Sequence, residues 1–481
     1  MKMKRWLSLL MAFLITAVYA SGCSSASKDS TANSTFGNAT EASQVSETTK
    51  PSEGNTGEVI NLTLWHNRAG SAGEILEQDR IPAFNQGLGA ELRINITPVY
   101  QGDDIISKIK AVSQANDVKN LPDLIQIYAG DVEYMSTVPY VIPMEEFIAN
   151  DPSFDMGDIL SQLINTYTFS DVLYSMPFHA STLMFYWNKT AFAEAGLDPD
   201  KPPATIAEMA EIAPKLMKKE GEAVTQYAIT LGIVNNYLNH WISGQGEYSF
   251  LGNNESGRAG RMTKVTFDEN GTMAKFLNEW KKVLDTGAVQ YVEEGNQQRD
   301  EFNAGLSAMV VCTNNGLASI KTMSKEMGFE FGVAALPKVD PNDTGGVCPG
   351  GSSVYILDKG NQGSIDASWE FVKYWVSPEN QYEWCMQSGN IPVNAKTFDL
   401  PEMQTFIAED PYYIEAYNCM MASHPKVQEH LSPAKPAFET IFKEVGFQFS
   451  DGQLAVDEAV ALMAEQCNAA LDEYNRANPI N

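Results

Sequence analysis

Apolar and polar residues alternate over residues 59–65, which predicts a β-strand, and from residue 70 the apolar positions recur with a helical period up to Phe84. The same order follows twice more, with "ELRINITPVYQG" and "LPDLIQIYAG" as predicted strands and a helical segment after each. This repetition predicts an α/β fold, in which ligands bind beyond the carboxyl ends of the strands. The side chains expected at that edge are Trp65, His66, Asn67, Tyr100, Tyr128 and Asp131.

The apolar pattern continues to the C-terminal end of the chain. "LMFYWNK" is a predicted strand that leads into a helix, and "AGLSAMVV", "FEFGVAALPKVDP" and "GGSSVYIL" are further predicted strands. Thr205 and Glu208 have the spacing of a capping box at the start of one helix. Ser377, Pro378 and Gly389 mark the start and the end of another. Helices dominate the remainder.

Length and charge narrow the class of protein. A chain of 481 residues with 44% apolar residues is long enough for two folded domains. Its net charge of −28 repels phosphate backbones and anionic lipids, so nucleic acid is not an expected partner. No nucleophile with an adjacent base and no metal-ligand spacing stands out, and we expect neither a metal nor a cofactor.

The first 23 residues have the features of an export signal. Lys2, Lys4 and Arg5 precede an apolar stretch at 7–19, which is shorter than the ~20 residues of a membrane span. The stretch ends in Ala-Ser-Gly-Cys, which resembles a lipobox with Cys23 as the lipidation site. An ordinary secretory signal is the alternative. Residues 24–58 are mostly polar and predict a flexible tether, so we expect the body at the outer face of the cell membrane, held by a lipid.

Four ordered blocks then identify a family by resemblance. They are "LTLWHN", "YSMPFHASTLMFYWNKTAFAEAGLDPDKPPAT", "FNAGLSAMVV" and "WEFVKYWVSPENQYEWCMQSGNIPVN", and together they span nearly the whole body. The chain resembles extracellular solute-binding proteins of carbohydrate-importing ABC transporters, a group that includes maltose-binding and glycerol-3-phosphate-binding proteins. The resemblance implies an α/β, two-lobed, periplasmic-binding-protein-like fold of type II topology, whose discontinuous lobes are joined by a hinge.

By this resemblance the first lobe would comprise 58–168 and 306–349, and the second lobe 169–305 and 350–481. The segment "MPFHAST" would be a loop of the second lobe that faces the cleft. The resemblance and the strand-end rule together direct further side chains or backbone groups towards a ligand: His179, Ser181, Trp241, Asn314, Asn315, Gly351, Ser352 and Asn390.

The implied mechanism is capture and delivery. The lobes close on a solute, and the closed form docks on two permease subunits in the membrane without any bond being made or broken. We expect a monomer and a carbohydrate ligand, because aromatic rings pack on the apolar faces of sugars while fixed polar groups bind their hydroxyls.

Three alternatives remain. The stretch "PVYQGDD" resembles the glycerol-3-phosphate branch, so glycerol 3-phosphate or a glycerophosphodiester is an alternative ligand. The arginine expected for a phosphate is absent from "SPAKPAFETIF", which favours a neutral sugar. A lipoprotein that senses a ligand for a membrane receptor would have the same fold. An extracellular glycoside hydrolase would need a carboxylate pair, and no motif selects one among the 61 acidic residues.

Overall fold

The computed structural model describes residues 57–479, apart from 233–234, 248 and 293–294, and leaves out the side chains of 103, 235, 236 and 295 as well. The predicted signal segment with Cys23, and the tether up to residue 56, lie outside this range.

Strands and helices alternate through the first part of the chain, and helices dominate after residue 361. The strands are β1 (Ile60–His66), β2 (Ile94–Tyr100), β3 (Leu124–Tyr128), β4 (Val141–Ile142), β5 (Thr168–Phe169), β6 (Val172–Leu173), β7 (Met176–Ser181), β8 (Leu183–Asn188), β9 (Lys218–Glu220), β10 (Ala223–Leu231), β11 (Val289–Tyr291), β12 (Ser307–Thr313), β13 (Phe331–Ala334) and β14 (Gly350–Leu357). The helices are α1 (Gly70–Ile75), α2 (Ile81–Gln86), α3 (Leu88–Leu92), α4 (Ile105–Gln114), α5 (Val132–Ser136), α6 (Met144–Asn150), α7 (Ser161–Thr166), α8 (Lys189–Glu194), α9 (Ile206–Leu216), α10 (Asn235–Ser243), α11 (Asn253–Gly257), α12 (Thr272–Leu284), α13 (Gly295–Asn303), α14 (Leu317–Met327), α15 (Gln362–Trp375), α16 (Pro378–Ser388), α17 (Pro401–Glu409), α18 (Tyr413–Ala422), α19 (Lys435–Ser450) and α20 (Val456–Ala477).

Two mixed sheets define the two lobes. In the first lobe the order is β2-β1-β3-β14-β4, with β7 also paired to β14; β1, β2 and β3 are parallel, and β14 is antiparallel to β3. In the second lobe the order is β11-β10-β12-β8-β13, with β9 at the side of β10. The carboxyl ends of the parallel strands therefore meet along one edge of each sheet.

Alternate residues of each strand enter different cores, as the two-residue period of a strand requires. Phe185 and Trp187 of β8 pack against α9, α12, α19 and α20, whereas Met184 and Tyr186 face a core that continues into the first lobe. The first lobe has a further core around Ile125, on the other face of its sheet.

The sheets do not follow the predicted division of the chain. Strands β12 and β13, expected in the first lobe, belong to the second sheet, while β14, expected in the second lobe, pairs with β3 of the first. "MPFHAST" is not a loop of the second lobe either, because its first six residues form β7 of the first sheet. Pro177 is compatible with this strand, which lies at a sheet edge and whose pairing with β14 is irregular between Ser352 and Ser353.

Within the described residues, the chain passes between the lobes at three places. Thr182 is the one residue between β7 and β8, residues 335–349 connect β13 to β14, and residues 423–434 connect α18 to α19. Thr182 is buried, and its backbone N–H donates to Asn314 Oδ1 at 2.8 Å. Its hydroxyl donates to the Cys348 carbonyl at 2.9 Å. The first crossing is thereby tied to the second.

The helix boundary signals are confirmed. The Thr205 hydroxyl accepts from the Glu208 N–H at 3.1 Å at the start of α9, and the Ser377 side chain caps α16, where Pro378 is the first residue. Gly389 ends α16 with a left-handed φ of 71°.

Gly351 has a backbone conformation that other residues adopt rarely, with φ +120°, and a Cβ there would overlap the carbonyl oxygen of His179 across the β7–β14 pair. We expect Gly351→Ala to lower the free energy of unfolding by about 2 kcal/mol. Gly350→Ala is the matched control, because its Cβ would lie 3.4 Å from its nearest neighbour, Ser181 O, so the loss should stay below about 1 kcal/mol. Urea denaturation measures both, and equal losses would contradict this explanation.

Candidate functional site

A cavity of about 750 Å³ lies where the cleft edges of the two sheets meet. The first lobe contributes the end of β3, the end of β7 and the start of β14, and the second lobe contributes the end of β12 and one side of α19. The lining residues are Tyr128, Ala129, Gly130, Ser181, Thr313, Gly350, Gly351, Glu429, Lys435, Pro436, Glu439, Thr440 and Lys443.

The predicted strand-end residues of the first lobe divide into exposed and buried ones. Tyr128 lines the cavity with 42% of its surface exposed, and Tyr100 is 50% exposed at the end of β2. His66 is fully buried, and its Nε2 lies 3.0 Å from Glu77 Oε1. Burial lowers the pKa of His66, against the opposing effect of Glu77. Asn67 is buried as well, and its Oδ1 accepts no hydrogen bond.

The ring of Trp65 is half-buried and packs against the core around Ile125 rather than lining the cavity. Its position follows from the strand period, because His66 and Trp65 are neighbours in β1 and point to opposite faces of the sheet.

The wall opposite Tyr128 is rich in charged groups. Lys435 lies close to Asp131, Glu429 and Glu439, and its charge acts on the carboxyl groups of Asp131 and Glu429. Burial nevertheless raises the pKa of Asp131 and of Glu429, because desolvation of their ionised forms outweighs the attraction of the lysine. This wall is thus polar and partly desolvated, and it suits a ligand with many hydrogen-bonding groups.

His179, Ser181, Gly351 and Ser352 lie together where β7 pairs with β14. Ser181 and Gly351 reach the cavity, whereas His179 and Ser352 are buried behind it and bond to each other, with Ser352 Oγ 3.1 Å from His179 Nδ1. The His179 ring also lies beside Trp384 at 5.8 Å between centroids. Burial, together with the charge of Arg68, lowers the pKa of His179, so a neutral ring that supports the cavity floor is the role its surroundings indicate.

Trp241, a predicted ligand contact, does not reach this cavity. It stacks on Phe276 at 5.0 Å, and its Nε1 donates to the Pro337 carbonyl at 3.1 Å, within the core of the second lobe. It borders a separate, mostly apolar cavity of about 590 Å³ beside the 335–349 crossing. Trp241 is not in a loop, because residues 235–243 form α10, which turns the tryptophan inward.

Three predicted asparagines also lie outside the cavity. Asn314 accepts from the Thr182 N–H and donates to the Gly389 carbonyl at 2.8 Å, so it holds the first crossing. Asn315 is exposed, and its Oδ1 accepts from the Thr313 hydroxyl. Asn390 is buried and donates to Ser388 Oγ at 2.9 Å, while its Oδ1 has no hydrogen-bond partner.

Sequence reasoning missed several residues of the site. Arg68 lies one residue beyond the predicted "LTLWHN" block, and its guanidinium carbon is 5.9 Å from the centroid of the Tyr128 ring. Lys435 belongs to "SPAKPAFETIF", the stretch that lacks the arginine expected for a phosphate, and it is the cation that this stretch brings to the cavity. Glu429 and Thr313 gave no signal in the sequence.

Two arginines of the second lobe bind groups of the first. Arg258 Nη1 donates to the Thr166 carbonyl at 2.9 Å, and its other nitrogens bind the carbonyl of Glu429. Arg261 Nε lies 2.9 Å from Glu133 Oε1 of α5, with both side chains largely buried. Burial raises the pKa of Glu133, and the hydrogen bond and the charge of Arg261 oppose that rise. These contacts hold the lobes together at one side of the cleft.

This geometry has counterparts in known proteins. A family profile described as bacterial extracellular solute-binding protein matches residues 80–411, which is more than half of the chain. The chain belongs to this family. It is a solute-binding protein of the kind that serves ABC importers, and its two-lobed α/β fold is the one that the sequence predicted.

Relatives of this solute-binding protein include the sn-glycerol-3-phosphate-binding periplasmic protein UgpB of Escherichia coli K12, which is 25% identical over 368 residues, or 74% of this chain and 80% of the relative. Among solved structures, the cyclic alpha-maltosyl-1,6-maltose binding protein of Arthrobacter globiformis has a TM-score of 0.70 at 20% identity and covers 86% of this chain and 100% of that one. UgpB of Mycobacterium tuberculosis, in complex with glycerophosphocholine, has a TM-score of 0.67 at 20% identity, with 87% and 99% covered.

In the solute-binding protein as described, residues 57–479 with the gaps given above, no helix has the length and apolar character of a membrane span. Within the same residues no three of the side chains that bind metals lie close enough together to hold an ion.

The Glu133–Arg261 pair generates a prediction. Arg261→Met leaves the Glu133 carboxylate buried without its cation, and we expect the free energy of unfolding to fall by about 3 kcal/mol at pH 8. The pKa of Glu133 then rises further, so the folded state holds the proton more tightly than the unfolded state. The loss of stability should therefore grow as the pH rises above the ordinary value of 4.5. Urea denaturation at pH 5 and pH 8 measures both effects.

The double variant Glu133→Gln with Arg261→Met is the control, because it removes the buried charge together with its partner. It should recover most of the stability at pH 8. A double variant as unstable as Arg261→Met alone would rule out the stranded carboxylate as the cause.

Proposed function

We propose that this protein captures a sugar or oligosaccharide in the cavity between its lobes and delivers it to the permease of an ABC importer. The observation that carries the proposal is the 750 Å³ cavity itself, in which an exposed tyrosine faces polar groups of the other lobe. The Tyr128 ring offers a surface for the apolar face of a sugar, and Ser181, Thr313 and Glu429 offer partners for its hydroxyls.

Delivery needs a change in the relation between the lobes, and the three chain crossings are the places where it would occur. In this proposal the lobes close on the solute, the closed protein docks on two permease subunits as a monomer, and the solute leaves unchanged. Its relatives are solute-binding proteins, which supports a role without chemistry. Incubation with the bound sugar for hours should therefore return the sugar intact.

A second candidate ligand is glycerol 3-phosphate or a glycerophosphodiester. The relatives named for glycerol 3-phosphate, and the solved structure with glycerophosphocholine, favour it, and Lys435 supplies a cation in the stretch where an arginine is absent. Calorimetry against mono- and oligosaccharides, glycerol and glycerol 3-phosphate separates the two candidates. Loss of uptake on deletion of the gene would separate an importer from a sensor.

For the ligand found in that screen, we expect Tyr128→Ala to weaken binding about tenfold, because a stacked ring contributes ~1.4 kcal/mol. Stability should change little, since the ring is 42% exposed. Trp241→Phe is the control with the reverse expectation. It should lower the free energy of unfolding by about 1–2 kcal/mol and leave the affinity within twofold of the wild type. An affinity that depends on Trp241 and not on Tyr128 would place the solute elsewhere.

We further propose that Cys23 carries a lipid and that residues 24–58 are the tether of a protein held at the outer face of the membrane. Cys23→Ala should then appear in the culture medium, lose incorporation of labelled palmitate and bind its solute normally. Cys419→Ala, which changes a free and partly buried thiol in the folded body, should remain in the membrane fraction. A Cys23→Ala protein that stays with the membrane would contradict the anchor.

A further inference from the structure

Arg68 is a largely buried cation, and the residues that the structure describes supply no anion to it. Its Nε is buried and makes no hydrogen bond, and among the residues that the structure describes no carboxylate forms an ion pair with it. Its recorded contact is with the face of Tyr128, at 5.9 Å from the ring centroid. Burying a guanidinium group without a compensating charge is costly, so a folded chain keeps such a group only where something else stabilises it.

Other buried arginines of this protein are compensated. Arg80 has Asp79 at 3.5 Å and Glu383 at 3.9 Å, Arg258 donates to backbone carbonyls, and Arg261 pairs with Glu133. The contrast separates Arg68 from structural arginines. The groups that act on its charge are the tyrosines at 128 and 167, and no carboxylate is among them.

The position of Arg68 adds a second observation. It follows β1 at the cleft edge of the first sheet, and Tyr128, the ring beneath it, lines the interlobe cavity. The hydroxyl of Tyr167, which is fully buried and has no hydrogen-bond partner, lies within range of the same charge. An unpaired guanidinium is a donor group that binds a carboxylate or a phosphate.

We infer that Arg68 is a specificity-determining residue for a solute that carries one anionic group, either a phosphate ester or the carboxylate of an acidic sugar. The inference rests on the proposed function, since it concerns the same cavity, and it replaces the expectation of a neutral sugar. Tyr128 then contacts the hydroxylated part of the solute, while Arg68 binds its charged end.

Two matched pairs of probes test the inference by calorimetry: glucuronate with glucose, and sn-glycerol 3-phosphate with glycerol. We expect the anionic member of at least one pair to bind the wild type and to bind Arg68→Met roughly 30-fold more weakly, because a charge-assisted pair of hydrogen bonds is lost. Arg68→Lys keeps the charge and should lose less. The pair that responds identifies the anion as carboxylate or phosphate.

A thermal-shift experiment needs no knowledge of the solute. The ionic strength is kept constant with chloride. Inorganic phosphate and sulfate at millimolar concentration should then raise the melting temperature of the wild type and leave the melting temperature of Arg68→Met unchanged. Without any added anion, Arg68→Met should melt at the wild-type temperature or above it, since the variant removes an uncompensated buried charge.

Three outcomes would overturn the inference. They are a neutral probe that binds as tightly as its anionic partner, an affinity for the anionic probe that Arg68→Met leaves intact, and a ligand-free Arg68→Met that melts several degrees lower. The first two would leave solute capture standing, because binding itself is still seen. Wild-type protein that binds none of the four probes and gains no stability from phosphate or sulfate would count against the anion site. Normal growth and uptake in a deletion strain would count separately against the proposed function.

Discussion

The cleft depends on the way Thr182 is held between two sheets. This one residue separates β7 from β8, and both of its backbone groups bond to Asn314, with its carbonyl accepting from the Asn314 N–H at 3.0 Å and its N–H donating to the side chain at 2.8 Å. Its hydroxyl reaches the second crossing at Cys348. Because the crossing is so short, Ser181 of one lobe and Thr313 of the other face a single cavity.

Around that cavity, the buried charged groups that the structure describes are paired with an opposite charge or with hydrogen-bond acceptors, with one exception. Acidic groups near α19 share Lys435, and the arginines that join the lobes bind carbonyls or a carboxylate, so each of these buried charges has a partner that opposes its desolvation. Arg68 is where the rule fails. In a chain of net charge −28, a buried cation without an acidic side chain beside it is unusual. The unpaired Arg68 therefore supports the proposal of an anionic solute.

The features that the sequence predicted correctly are those that depend on local residue patterns or on the resemblance to the family. The alternation of strands and helices, the helix caps and the strand-end position of Tyr128 follow from patterns within short windows, whereas the two-lobed fold follows from the family resemblance, and the structure agrees with both. The membership of β12, β13 and β14 in their sheets depends on pairing between residues more than a hundred positions apart, which no local pattern records. The same holds for Lys435, which lies beside Asp131 only after folding, and for Trp241, whose inward direction was decided by α10.

When two lobes rotate about a point at the bottom of a cleft, groups near that point move less than groups at the rim. Ser181 is adjacent to Thr182, so a rotation of the lobes about Thr182 displaces Ser181 very little, whereas Lys443 in the third turn of α19 moves through a longer arc. In the proposed function, the floor of the cavity therefore keeps the same contacts with the solute while the lobes move. In the same proposal the rim of the cleft selects solutes by length, because a solute that is too long stops the closing movement early and one that is too short leaves the cleft incompletely closed.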